Sequence, residues 1–125
     1  MLDYRDFKKW VGACKKDQPV GDANSITSCP IACYFKAKGY QASVSGIKID
    51  LVKETRDSKK AVTVPEHIQF PTPAWAYNFI NLIDSEGDLH IVSRAEAMRA
   101  LQKAHEVTER GETIDLKWKN DQFKV

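Results

Sequence analysis

Residues 28–52 read SCPIACYFKAKGYQASVSGIKIDLV, and the change of period inside this stretch decides the fold class. Ile31, Tyr34 and Phe35 recur at helical spacing, and Pro30 is tolerated in a first helical turn, where its missing N–H has no partner to lose. Ser28 or Cys29 stands where the cap belongs. Gly39 is a natural stop, because glycine takes the left-handed conformation that ends a helix at little steric cost. From Gln41 the period becomes two. Ile47, Ile49 and Leu51 alternate with Lys48, Asp50 and Val52, the pattern of a half-buried strand, and Val44 marks a shorter strand before Gly46. A helix handing over to alternating strands predicts an α+β domain.

The same reading extends in both directions. Asp3 caps a first helix whose stripe is Phe7, Trp10, Val11 and Cys14. Residues 17–27 read as a long polar loop, long enough to be functional. After the strand, Thr55 to Lys59 form a turn and Ala61 to Val64 return as its hairpin partner. Pro65, Pro71 and Pro73 then break regular structure, so that Val64 to Trp75 is an extended segment. Thr72-Pro73 starts a strongly apolar helix carrying Trp75, Phe79, Leu82 and Ile83. Glu86-Gly87-Asp88 turns into a short strand, Leu89 to Val92. Ser93 and Glu96 form a capping box for a helix with Met98, Leu101 and His105 on one side, and Ile114, Leu116 and Trp118 alternate as a last strand. The expected architecture is about four helices packed on a small, mostly antiparallel sheet of three to five strands, with residues 1–125 in a single domain.

Composition narrows the class further. The chain has 125 residues, 42% hydrophobic and 29% charged, enough to bury one core without metal or disulfide support. No apolar run approaches the ~18 residues of a membrane span, and acids and bases stand where a signal peptide needs its apolar stretch. A cytoplasmic protein with no membrane partner is expected. Three cysteines, an odd count, suit reduced thiols rather than a disulfide framework. The net charge of +2 divides into +5 over residues 1–60 and −3 over the rest. That asymmetry marks either a basic face for an anionic partner or two halves that interleave and cancel.

The sharpest chemical candidate is Cys29, since a thiol at a helix start feels the positive end of the dipole. His90, on an expected strand, would serve as its general base, with Gln102, Asp84 or no group in third place. This order of elements, and nothing more local, is similar to that of papain-like peptidases and bacterial cell-wall amidases, which place Cys at a helix N-terminus and His on a following strand. The resemblance implies a cysteine-dependent hydrolase or transferase. Cys14, Cys29 and Cys33 with one histidine have the donor types of a zinc site but only one short-spaced pair, so no metal and no cofactor is expected. Lys8-Lys9-Trp10, Tyr34-Phe35-Lys36 and Trp118-Lys119 interleave bases and aromatics, a weak nucleic-acid pattern that would use chiefly the basic N-terminal half. Phosphate-binding glycine loops, the G-x-S-x-G elbow and H-E-x-x-H are absent. In the proline-punctuated segment, His67, Ile68 and Phe70 offer an edge to a partner. By elimination the sequence points to a non-catalytic interaction module for a protein partner.

Overall fold

The computed structural model describes residues 2–57, 62–84 and 90–114, and of 54–57 and 62–65 the backbone alone. Asp3 caps helix α1 (Tyr4–Ala13), its carboxylate accepting the Asp6 N–H at 3.1 Å. Phe7 and Val11 are fully buried, with Trp10 and Cys14 half-buried beside them, so the expected stripe is the one that packs. Phe7 is the meeting point of three helices. Its ring lies 5.4 Å from Tyr34 on α2 (Pro30–Ala37) and 5.5 Å from Phe79 on α3 (Ala74–Ile83), both edge to face. Such pairs contribute about 1 kcal/mol each beyond burial.

The strands divide between two small antiparallel sheets. Strands β2 (Gln41–Val44), β3 (Lys48–Asp57) and β4 (Val62–Pro71) form one in that order, and β1 (Pro19–Asp22) pairs with β5 (Ile91–Ser93) in the other. Helix α4 (Arg94–Glu109) follows β5 and packs on α3. The chain is thus a single small α+β domain. Ile49, Leu51, Ala42 and Val44 turn one face of the larger sheet to the core, with Ile68 and Phe70 half-buried opposite Leu51 and Ile49.

Three local departures have physical causes. Pro19 to Asp22 forms a strand inside the expected loop, since Val20 is buried and β5 supplies the pairing that no local pattern announces. Pro65 does not interrupt β4, and Pro71 is its last residue. Thr72 N–H donates to Ile47 O at 3.0 Å, so in this register positions 70 and 68 bond to β3 while 71, 69, 67 and 65 turn outward. Pro65 and Pro71 therefore stand where no ladder N–H is needed, on an edge strand. On α3 the buried face is rotated from the expected one. Asn78 and Asn81 are buried while Trp75 and Leu82 are only half-buried. The two asparagines hold the chain beyond α4: Asn78 accepts the Ile114 N–H at 2.8 Å and donates to Glu112 O at 3.2 Å, and Asn81 donates to Ile114 O at 2.6 Å. The expected turn within 55–59, the Glu86-Gly87-Asp88 turn with Leu89, and the strand from Ile114 through Trp118 fall largely outside the described residues.

Gly21 is required by a close approach. A Cβ there would lie 2.6 Å from Pro30 N and 2.8 Å from the Cys29 carbonyl carbon, both backbone atoms that cannot move aside alone. Gly21→Ala is expected to cost about 2–4 kcal/mol in a denaturant melt. Gly12→Ala, with nothing within 4 Å of the new carbon and a helical site, gains up to about 1 kcal/mol in the same measurement.

Candidate functional site

The segment between β1 and α2 is tied to four elements. Asp22 N–H donates to Ser28 O at 2.8 Å, Ala23 N–H to His90 O at 2.8 Å, and Val44 N–H to Ile26 O at 2.8 Å. Asn24, in the left-handed conformation at φ 59°, donates its N–H to Asp84 Oδ1 at 2.7 Å. Asparagine tolerates that backbone better than most residues. These bonds hold a cleft of about 270 Å3 open between the segment, the β2–β3 turn and the end of α3. Asn24 to Ile26 and Cys29 form one wall, Val44 to Gly46 the second, and Ile80, Asn81 and Asp84 the third. The turn is rigid: Ser45 Oγ accepts the N–H groups of Ile47 and Lys48 at 3.2 and 3.1 Å, and Thr72 Oγ1 donates to Ser45 O at 2.7 Å.

Cys29 is the N-cap residue of α2, as the sequence suggests, and it borders this cleft. It is only 4% exposed. Burial pushes its thiol up to about 11, an effect the N–H groups of Ala32 and Ile31 only partly offset. Desolvation therefore wins over the helix dipole. His90 precedes β5, its carbonyl engaged by Ala23 and its Nε2 lying 2.8 Å from Glu96 Oε1. Glu96 thus serves the capping box through its backbone N–H, bonded to Ser93 Oγ at 3.1 Å, while its carboxylate reaches the imidazole. His90 is not among the described residues bordering the cleft. Gln102 is exposed on α4, whereas Asp84 does border the cleft.

The other two thiols share a separate groove of about 320 Å3 with Trp10, Val20 and Asp22. Both are pushed up by burial, Cys14 against the opposing pull of Arg94 and Cys33 against that of Lys36. Among the described residues no three of His, Cys, Asp and Glu are placed to hold a metal ion. Tyr34 and Phe35 are buried, so neither offers an open ring to a base, and Trp118 lies outside the described residues. No helix among the described residues is long and apolar enough to cross a membrane.

The proposed edge residues separate by face. His67 is exposed on the outer face, 3.6 Å from Asp50 Oδ1, whereas Ile68 and Phe70 lean onto the core. Phe70 also borders a shallow groove of about 340 Å3 with Ile47, Lys48, Gln69 and Pro71. Ile47, expected to be buried with Ile49 and Leu51, is 84% exposed because it falls in the turn before β3. Sequence reasoning overlooked Ile26, Ile47 and Asn81. A usable signal for Asn81 was present, since Asn78 and Asn81 are the only strongly polar residues in AWAYNFINLI. No protein-family model matches the chain, and no curated protein or solved structure matches it either.

At neutral pH, iodoacetamide is expected to label Cys14 and Cys33 first, with Cys29 at least about tenfold slower than a free thiol and unaffected by His90→Ala. The folded protein keeps the Cys29 proton above the pH at which an unfolded thiol releases it. Its contribution to stability is therefore complete below pH 9 and is lost as pH rises to about 11. By that linkage, wild type loses about 2–3 kcal/mol across the window relative to Cys29→Ala, read by denaturant melts at each pH.

Proposed function

We propose that this chain is a non-catalytic protein-binding module whose contact surface is centred on the Val44–Gly46 turn. The observation that carries the reading is the exposure of two isoleucines on either side of that turn, Ile26 at 59% and Ile47 at 84%. A large aliphatic side chain in water forgoes about 1.5–3 kcal/mol of burial, and two flanking one turn form an anchor pair for a partner. The cleft and the shallow groove adjoin at this turn, Gly46 bordering the first and Ile47 the second. Gly46 stands with Tyr77 behind it, a Cβ there meeting the ring at 3.1 Å, so the turn is backed rather than loose. Support against catalysis comes from a buried, protonated Cys29 and a His90 held by Glu96. Free thiols suit a reducing compartment, and we place the module in the cytoplasm with a protein partner and no cofactor.

A photo-crosslinking residue tests the surface. Placed at Ile26 or Ile47 in the native host, it is expected to trap one and the same protein, while the same residue at Ile91, exposed on the smaller sheet, traps none. Equal yields at all three positions would end the reading. Adducts made solely of a second copy of this chain would replace the partner by self-association.

A further inference from the structure

Two of the three thiols meet in one groove that the proposed contact surface does not use. Cys14 is the C-cap residue of α1 and Cys33 lies in α2, and β1 contributes Pro19 to Asp22 to the groove they share. Both sulfurs are fixed by a hydrogen bond to the carbonyl of a residue that borders the same groove. Cys14 Sγ donates to Trp10 O at 3.3 Å, and Cys33 Sγ donates to Ser28 O at 3.4 Å. Each is only half-buried, so a dissolved reagent reaches both. Cys29 stands apart, buried and on the other cleft.

The charges around the pair set its chemistry. Burial is the main cause that pushes the Cys33 thiol up; Asp22 and a Cys14 thiolate add to it, and Lys36 opposes them. The two sulfurs therefore lie within reach of each other's charge, and two thiolates at once are disfavoured. Burial also pushes Cys14 up, but its charged neighbour is Arg94, whose Nη1 donates to Cys14 O at 3.1 Å. Cys14 is thus the thiol that ionises first. Neither site stabilises a thiolate strongly enough to hold the pair reduced, the feature that makes some dithiols resist oxidation.

We propose that Cys14 and Cys33 are a redox pair, converted by a low-molecular-weight disulfide of the glutathione type into an intramolecular disulfide that staples the end of α1 to α2. The Cys14 thiolate attacks one sulfur of oxidised glutathione, forming a mixed disulfide and releasing one glutathione thiolate. Cys33 then gives up its proton and attacks the Cys14 sulfur, which releases the second glutathione. In sum, two protein thiols and one glutathione disulfide become one protein disulfide and two glutathione thiols, with two electrons and two protons passing to glutathione. The bridge closes a loop over residues 14–33, which holds β1 and the Asp22–Cys29 segment that carries Ile26. The inference goes beyond the protein-binding reading and does not depend on it.

The test is equilibration in glutathione buffers of graded ratio, followed by mass spectrometry and peptide mapping. Wild type is expected to lose two hydrogens, with the Cys14 and Cys33 peptides joined, and Cys33→Ser to stop with one glutathione on Cys14. In Cys29→Ala, which keeps the pair and removes the third thiol, the buffer ratio at half-oxidation gives the effective concentration of one thiol at the other. That value is expected to be at least about tenfold higher in the folded protein than in urea. Equal values would overturn the inference, because the chain alone would then account for the bridge. Glutathione on both sulfurs without a bridge, or a wild-type bridge made through Cys29, would overturn it too. The wild-type map leaves the protein unaltered, so misfolding of a variant cannot mask the result.

Discussion

The architecture depends on how eight residues, Asp22 to Cys29, are fastened. Their backbone closes on itself from Asp22 N–H to Ser28 O and accepts the Cys33 N–H of α2 at Cys29 O. It bonds to the smaller sheet through His90 and to the larger sheet through Val44, and the Asn24 N–H is held by the carboxylate that ends α3. The anchor at one end is steric. Gly21 lies so near Pro30 that no side chain fits between the strand and the start of the helix. Two small sheets that share no strand are joined by this segment, and the cleft is the space it leaves.

Two sorts of interior hold the rest in place. Around Phe7 the contacts are aromatic, edge to face between α1, α2 and α3, and tolerate small adjustments. Around Asn78 and Asn81 they are directional. An amide placed in an apolar helix costs free energy unless each of its groups finds a partner. Here the partners are Thr108 on α4 and the backbone of residues 112–114, so α3 fixes the chain that leaves α4. Asn81 also borders the cleft, so one side chain serves both the cleft wall and the chain beyond α4.

The surface features differ in kind from the thiol chemistry suggested by sequence. A helix dipole activates a cysteine by favouring its thiolate, and at Cys29 burial outweighs that effect. The exposed isoleucines were hidden for a related reason. Ile47 continues the alternation of Ile49 and Leu51 and looks like a core residue, and only the turn made by Ser45 puts it in water. Ile26 sits in a polar stretch with no period at all.

What the sequence by itself determined is the set of elements with strong local signals. These are the Asp3 and Ser93 caps, the stripe of α1, the Pro30 start and Gly39 stop of α2, and the alternation of β3, each reporting on neighbours within a few residues. The tertiary structure alone decided the pairing of β1 with β5, the run of β4 through its prolines, the rotated face of α3 and the walls of the cleft. Strand partners, edge positions and buried amides are satisfied by residues some thirty to seventy positions away, and local periodicity carries no information about contacts at that distance.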